Sequence, residues 1–189
     1  MRYKEAVKLL REAGVGSADY DARELFVHFG GFNRSEIFLS DPECAKPELT
    51  AAIERRAARE PLQYIIGEVE FYREVYRVTP DCLIPRADTE ILVDYAVRSI
   101  PEGASFMDLC TGSGCVAIST LKNTKNTTAI SVDIDGGALA IAEENAASTE
   151  ETAASMESLT TIIDECLNAI AQLEDLSNDL GDKVQVFKM

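Results

Sequence analysis

The chain has 189 residues, which is enough for one ordinary domain or for two small ones. It carries 33 acidic residues against 18 Lys and Arg, and the net charge of −15 argues against a nucleic-acid partner, because phosphate contacts need clustered cations. The five cysteines are scattered and form no C-x-x-C pair, so we expect neither a metal site nor a disulfide framework. We expect reduced thiols in a cytoplasmic protein.

The first sixty residues show the apolar periodicity of helices. The N-terminus is polar rather than signal-like, and no apolar run of the chain is long enough to cross a membrane, so we expect no membrane partner. Apolar residues recur at helical spacing before Gly14 and again before Gly30, and shorter helical patterns cover residues 35–39 and 47–59. These patterns predict a helical N-terminal domain over residues 1–60.

Strand signals follow over residues 61–84. Tyr64–Ile66 and Val69–Tyr72 flank a glycine, and Val75–Val78 comes next. Short runs that are rich in β-branched and aromatic residues and bounded by turn formers are typical of strands, so this segment predicts a β-hairpin linker. A helix that runs to about Ser99 is predicted after it.

The segment from Phe106 to Ala117 has the pattern of a buried strand, a glycine-containing turn and the start of a helix. Glycines allow a ligand to approach the backbone closely, and a helix N-terminus offers unpaired N–H groups. A second strand, Ala129–Val132, ends at Asp133, about twenty residues beyond the glycines, where a βαβ nucleotide site places its ribose-binding carboxylate.

The glycine spacing fits a dinucleotide fingerprint, but Asp108 just before the turn favours a different ligand. A carboxylate there repels the pyrophosphate of NAD, whereas S-adenosylmethionine has no phosphate and carries two cationic groups. Asp108 and Asp133 together therefore favour S-adenosylmethionine as the cofactor over NAD. The alternative is a tight strand–helix turn that binds no ligand.

Four runs give the chain a family resemblance: E-P-L-Q-Y-I-I-G-E-V-E-F-Y from Glu60, L-I-P-R-A-D-T-E from Leu83, D-L-C-T-G-S-G-C-V-A-I-S from Asp108, and V-D-I-D-G-G-A-L-A-I-A-E-E-N-A from Val132. In this order they resemble the HemK/PrmC family over residues 1 to about 146. These bacterial enzymes methylate the glutamine of the Gly-Gly-Gln motif in peptide-chain release factors. The resemblance implies a release factor as partner, held in part by the helical N-terminal domain, although that domain has a packing role as its alternative.

The resemblance also assigns site residues. The cofactor pocket would consist of Asp108 for the methionine ammonium group, Asp133 for the ribose hydroxyls, and the turn residues Cys110, Thr111, Gly112, Ser113 and Gly114. Arg86 and Glu90 would lie on the substrate side of this pocket. An internal ion pair between Arg86 and Glu90 that braces the linker is the alternative for these two residues.

The family's catalytic Asn-Pro-Pro-Tyr motif follows the fourth strand of its sheet, and this chain has no proline after Pro101. We therefore expect residues 85–146 to form a partial S-adenosylmethionine-binding domain that is truncated before that motif. Positioning of the glutamine amide supplies much of the rate in a group transfer, so little or no turnover is expected.

The C-terminal segment, residues 147–189, has the pattern of a long helix. A heptad seam predicts a coiled coil and a homodimer formed through it; its members are Met156, Leu159, Ile163, Cys166, Ile170, Leu173 and Leu180. Residues 146–155 resemble the methylation segment of methyl-accepting chemotaxis receptors, in which the residue matching Glu151 is a methyl acceptor. The alternative here is an alanine-rich solvated helix.

The chain is therefore predicted to be an α/β protein with a helical bundle, a hairpin linker, a Rossmann-like half-sheet and a long C-terminal helix. The alternative to a methyltransferase is a non-enzymatic protein that interacts through its coiled coil.

Overall fold

The computed structural model describes residues 1–149, and Met1–Asn145 form one compact unit. The N-terminal elements are α1 (Tyr3–Glu12), α2 (Ala18–Leu25), a π-helical turn (Phe26–Gly30), α3 (Arg34–Ser40), α4 (Pro47–Ala57) and α5 (Leu62–Ile66). After them come the strands β1 (Glu68–Phe71) and β2 (Glu74–Arg77), a 3₁₀ turn (Ala87–Thr89), α6 (Glu90–Ser99), β3 (Ser105–Leu109), α7 (Cys115–Lys122) and β4 (Thr128–Val132). A last helix, α8, begins at residue 136 and is described as far as residue 149. This mixture of helices with small sheets is compatible with the predicted α/β class.

Helices α1, α2 and α4 form a bundle because each carries one apolar face, and α3 adds Ile37 to it. The faces meet in a single core that contains Leu10, Phe26, Leu49 and Ile53, each without exposed surface. One ion pair lies inside the bundle, with the Arg56 Nε atom 2.6 Å from an Asp21 carboxylate oxygen, the Asp21 side chain being almost completely buried. The helices lie where the periodicity predicted them.

The prediction of a strand at Tyr64–Ile66 is wrong, since these residues belong to α5. Pro61 is the N-cap residue of this short helix, and Gly67 ends it with a φ of +87°. Leu62 and Ile65, three positions apart, both point into the bundle core. Tertiary burial at helical spacing therefore outweighs the β preference of a short isoleucine-containing run.

The predicted hairpin is present as β1 and β2, which pair antiparallel with Glu68 opposite Arg77 and Phe71 opposite Glu74. Its two-residue loop, Tyr72 and Arg73, has positive φ at both positions, which matches the twist of the flanking strands.

Strands β3 and β4 pair in parallel and are joined through α7, so the predicted strand–turn–helix–strand order is confirmed. The prediction that β3 is a buried strand is wrong. Met107 and Leu109 on β3 are 60% and 67% exposed, and Ile130 and Val132 on β4 are 59% and 41% exposed. A parallel sheet is normally covered on both faces. Helix α7 packs against both strands of this sheet, whereas the face that carries these four side chains is exposed within residues 1–149.

Of the predicted C-terminal helix, residues 147–149 are helical as part of α8. Glu151 and the heptad seam on which the homodimer prediction rests lie outside the described residues. None of the helices described here is both long and apolar enough to cross a membrane.

Candidate functional site

The turn between β3 and α7 is shaped by two glycines with different functions. Gly112 has a φ of +56°, and a Cβ atom built there would meet no atom within 4 Å, so the space beside it is open to a ligand. Gly114 has a φ of +78°, and its Cβ would lie 3.1 Å from both the Cβ atom of Ala142 and the Cδ1 atom of Ile118. The first glycine permits ligand approach, and the second permits α7 and α8 to pack closely.

Asp108 lies near the carboxyl end of β3 and is half-buried. Its Oδ2 atom accepts a hydrogen bond of 2.7 Å from the hydroxyl of Thr111, which is buried in the turn. The Oδ1 atom has no hydrogen-bond partner among residues 1–149. Asp108 is thus a fixed carboxylate with one oxygen available to a cationic or donor group.

Asp133 follows β4 and bonds directly to the glycine turn. Its Oδ2 atom accepts a 2.8 Å hydrogen bond from the Gly112 amide, and Oδ1 accepts one of 3.1 Å from the Asp135 amide. These bonds, that from Asp135 first and that from Gly112 second, lower the pKa of Asp133 below its usual value. The carboxylate therefore stays ionised in neutral solution.

The carboxylates of Asp108 and Asp133 stand at neighbouring strand ends. In the parallel register Leu109 pairs with Val132, and the Thr111 amide donates to the Val132 carbonyl at 3.1 Å. Ligands of open α/β sheets bind outside the carboxyl ends of the strands, and this is where the two acids and the turn meet.

Helix α7 begins directly after the turn. Its first backbone bond runs from the Ile118 amide to the Gly114 carbonyl at 2.9 Å, so the N–H groups of residues 115–117 have no partner within the helix. Cys115 is buried, and burial raises the pKa of its thiol to about 11, which keeps it neutral and makes it a poor nucleophile. The site offers oriented amides and carboxylates, which are groups able to bind and orient a ligand.

Asn145 on α8 bonds to the same turn, and sequence analysis did not predict this role. Its side chain is almost completely buried, and its Nδ2 atom donates to the Ser113 carbonyl at 2.8 Å. The sequence contains a signal for it, because Asn145 shares a helical spacing with Ala138, Ile141 and Ala142, which predicts one helix face. All four residues are buried. A lone asparagine on a buried apolar stripe needs hydrogen-bond partners, and this one finds them in the turn and in the hairpin.

The alternative ion pair between Arg86 and Glu90 is absent from the described part of the chain. Glu90 instead accepts a 2.8 Å hydrogen bond from the Tyr72 amide and so braces the tip of the hairpin. Arg86 is exposed. No hydrogen bond or ion pair among the described residues joins either one to the turn, so their substrate-side role stays a prediction.

The other predicted site residues lie in or beside the turn, except Glu151. The structure brings Asp108, Thr111, Gly112 and Asp133 together, with Ser113 and Gly114 continuing the turn. Cys110 is exposed and holds a positive φ of 61° at the start of the turn. Glu151 lies outside the described residues, and residues 1–149 contain no cluster of His, Cys, Asp and Glu that could hold a metal ion.

Residues 3–67 match the family model of the PrmC N-terminal domain. The chain is also 38% identical to the release factor glutamine methyltransferase of Geobacter sulfurreducens over 141 residues, which are 72% of this chain and 50% of that protein. The proteins of the same name from Cereibacter sphaeroides and Mycobacterium leprae are 38% and 36% identical over 148 and 147 residues, in both cases 76% of this chain, and 52% and 51% of those proteins.

The chain therefore spans about half the length of the curated relatives it matches. These matches confirm the predicted resemblance for about three quarters of the chain. They do not bear on the chemoreceptor-like segment at its C-terminal end.

Proposed function

We propose that this chain binds S-adenosylmethionine at the β3–α7 turn, as part of a methyltransferase of the release-factor glutamine type. The observation that carries the proposal is the pair of carboxylates beside an open glycine turn, with Asp108 bonded to Thr111 and Asp133 bonded to Gly112. The similarity to proteins named release factor glutamine methyltransferase supports the same reaction class.

The charge of the site favours this cofactor over a dinucleotide. A pyrophosphate charge about 5 Å from one carboxylate is repelled by roughly 3 kcal/mol at an effective dielectric constant of about 20, and a cationic group is attracted by a similar amount. Asp108 has a free oxygen for the ammonium group, and Asp133 would receive the ribose hydroxyls. The open space beside Gly112 would admit the cofactor to the backbone.

When bound, S-adenosylmethionine would supply an electrophilic methyl group. The residues of this chain would bind and orient it: Asp108 holds the charged end, Asp133 holds the ribose, and the turn fixes the distance between them. The 189-residue sequence contains no Asn-Pro-Pro-Tyr segment with which to position a glutamine amide. We therefore propose that this chain on its own binds the cofactor without transferring its methyl group.

The proposed partner is a peptide-chain release factor, contacted in part by the bundle of helices α1 to α4. The match of residues 3–67 to the PrmC N-terminal domain supports this role for the bundle. Homodimer formation through the C-terminal segment stays a prediction from the heptad pattern, and dilution of an isolated 141–189 peptide would test it, because the helicity of a coiled coil falls on dilution.

Titration calorimetry of the purified chain with S-adenosylmethionine tests the cofactor proposal, with NAD as the competing ligand. We expect binding of S-adenosylmethionine and not of NAD. Asp133→Ala should abolish measurable binding, while Glu12→Ala, which removes an exposed carboxylate of α1, should leave binding unchanged. Binding of NAD, or equal S-adenosylmethionine binding by the wild type and Asp133→Ala, would overturn the proposal.

A further inference from the structure

The side-chain amide of Asn145 makes three hydrogen bonds to backbone groups. Oδ1 accepts from the Arg77 amide at 2.8 Å, while Nδ2 donates to the Arg77 carbonyl at 3.1 Å and to the Ser113 carbonyl at 2.8 Å. One acceptor and both N–H donors of the amide are thereby engaged. These partners lie 68 and 32 residues away along the sequence, so Asn145 joins three separate segments.

The bond to Arg77 uses the outward-facing side of the hairpin. Next to it, the Val78 amide donates to the Gly67 carbonyl at 2.8 Å, and residues along an antiparallel strand alternate between inward and outward backbone groups. The N–H and C=O of Arg77 therefore point away from β1, and Asn145 pairs with both as another strand would.

The bond to Ser113 acts on the β3–α7 turn, residues 110–114, which contributes to the proposed cofactor site and is called the cofactor turn from here on. Ser113 is almost completely buried, so its carbonyl has no route to water if the Asn145 donor is lost. Fixing this carbonyl fixes the peptide that joins Ser113 to Gly114, and the Gly114 amide in turn donates to the Thr111 carbonyl at 2.9 Å. The same turn presents Gly112 to Asp133.

We propose that Asn145 is the positioning residue of the cofactor turn, which it holds in register with the hairpin through Ser113 and Arg77. The cofactor part of this inference rests on the proposed S-adenosylmethionine site. The structural part of the inference is that the order of the turn depends on the Asn145 donors, and it does not require a ligand.

The substitution Asn145→Asp removes the two N–H donors and keeps the size of the side chain. The ionised side chain keeps an acceptor for the Arg77 amide but faces the carbonyls of Arg77 and Ser113 with a charge. Protonation restores one O–H donor. Affinity for S-adenosylmethionine, measured by calorimetry, should fall at least about tenfold at pH 8 and recover towards pH 5.5.

The matched control is Glu144→Gln, which removes the exposed ion pair between Glu144 and Arg77 at 2.9 Å without touching the turn. Two titratable residues are linked to Asn145: Arg77 on β2, whose backbone it contacts, and Glu144, which precedes it on α8 and pairs with Arg77. The control should therefore bind as tightly as the wild type, with the same pH profile. A loss in Asn145→Asp that does not vary with pH, or that the control shares, would overturn the inference.

Amide hydrogen exchange without cofactor separates this inference from the proposed function. In Asn145→Asp at pH 8, the Gly112 and Gly114 amides should exchange at least about tenfold faster relative to the wild type, whereas amides of the bundle keep their protection. If the wild type fails to bind S-adenosylmethionine, the proposed function is wrong, and the exchange of these two amides still decides whether Asn145 orders the turn. Unchanged exchange there would overturn the inference.

If Asn145→Asp unfolds the chain, the bundle amides also lose protection. The variants Asn145→Gln and Asn145→Ala are then compared instead. Gln keeps both donors at the end of a longer side chain, whereas Ala has none. Partial protection of Gly114 in the Gln variant and none in the Ala variant would support the inference. Equal protection in the two would contradict it.

Discussion

Gly114→Ala should destabilise the chain much more than Gly103→Ala, although the two glycines have nearly the same φ angle. Their φ angles are +78° and +77°, but a Cβ at Gly103 meets nothing within 4 Å, whereas one at Gly114 lies 3.1 Å from Ala142 and Ile118. A side chain in the left-handed region costs about 1–2 kcal/mol, and the reduced entropy of the unfolded chain returns about 0.4–1 kcal/mol. Gly103→Ala should therefore lower the free energy of unfolding by about 1 kcal/mol.

Crowding adds to this cost at Gly114. The Cδ1 atom of Ile118 can move, but the Cα atom of Ala142, 3.3 Å from the new Cβ, is helix backbone and moves only if α8 shifts. Overpacking of this kind costs about 1–3 kcal/mol, so the total for Gly114→Ala is about 2–4 kcal/mol.

Urea unfolding followed by circular dichroism measures both variants. With a denaturant dependence of about 2 kcal/mol/M, the midpoint of Gly114→Ala should fall by about 1–2 M, and that of Gly103→Ala by about 0.5 M. Gly112→Ala completes the set, because its site is equally open and its midpoint should match that of Gly103→Ala while cofactor affinity drops at least about tenfold. If the unfolding free energies of Gly114→Ala and Gly103→Ala differ by less than about 0.5 kcal/mol, the close packing of α8 against the turn is not what requires Gly114.

Three further predictions follow from the contacts of the site and its support. Asp108→Asn should weaken S-adenosylmethionine about 10- to 100-fold in calorimetry while leaving the urea midpoint within about 0.5 M, because the amide oxygen still accepts from Thr111 but the charge is gone. The pKa of Asp133 is lowered in the folded chain, so its ionised form contributes stability that is fully present above the ordinary carboxyl pKa of about 3.9 and is lost as the pH falls through the lower folded value. The urea midpoint of Asp133→Asn relative to wild type should accordingly be constant from pH 8 to about pH 5 and converge only in more acidic solution. Tyr76→Phe removes the partner of the buried Ser119 hydroxyl, 2.7 Å from the Tyr76 oxygen, and should cost about 1–2 kcal/mol of unfolding free energy, most of which Ser119→Ala restores in the double variant.

Local patterns in the sequence were sufficient to predict the glycine turn between β3 and α7. The positions of Gly112, Gly114 and Asp133 reflect the short-range geometry of a strand, a turn and a helix, and such geometry repeats wherever the pattern occurs. The structure adds the hydrogen bond from the Gly112 amide to Asp133, which spacing alone could not give.

Features that depend on distant contacts were missed or predicted wrongly. Residues 64–66 form a helix because Ile65 is buried in the bundle, a contact that no local window of sequence contains. The exposure of Met107 depends on which elements surround the sheet, and the role of Asn145 depends on partners 32 and 68 residues away. In each case the deciding interaction is tertiary.

The bonds that shape the site all lie within one compact unit. Thr111 to Asp108, Gly112 to Asp133 and Asn145 to Ser113 join residues of Met1–Asn145. Cofactor binding should therefore depend on the order of this unit, whereas methyl transfer also needs groups that position a glutamine. Because the two requirements are separate, the proposal of S-adenosylmethionine binding without turnover can be tested directly, and methylation of a release factor by the purified 189-residue chain would refute it.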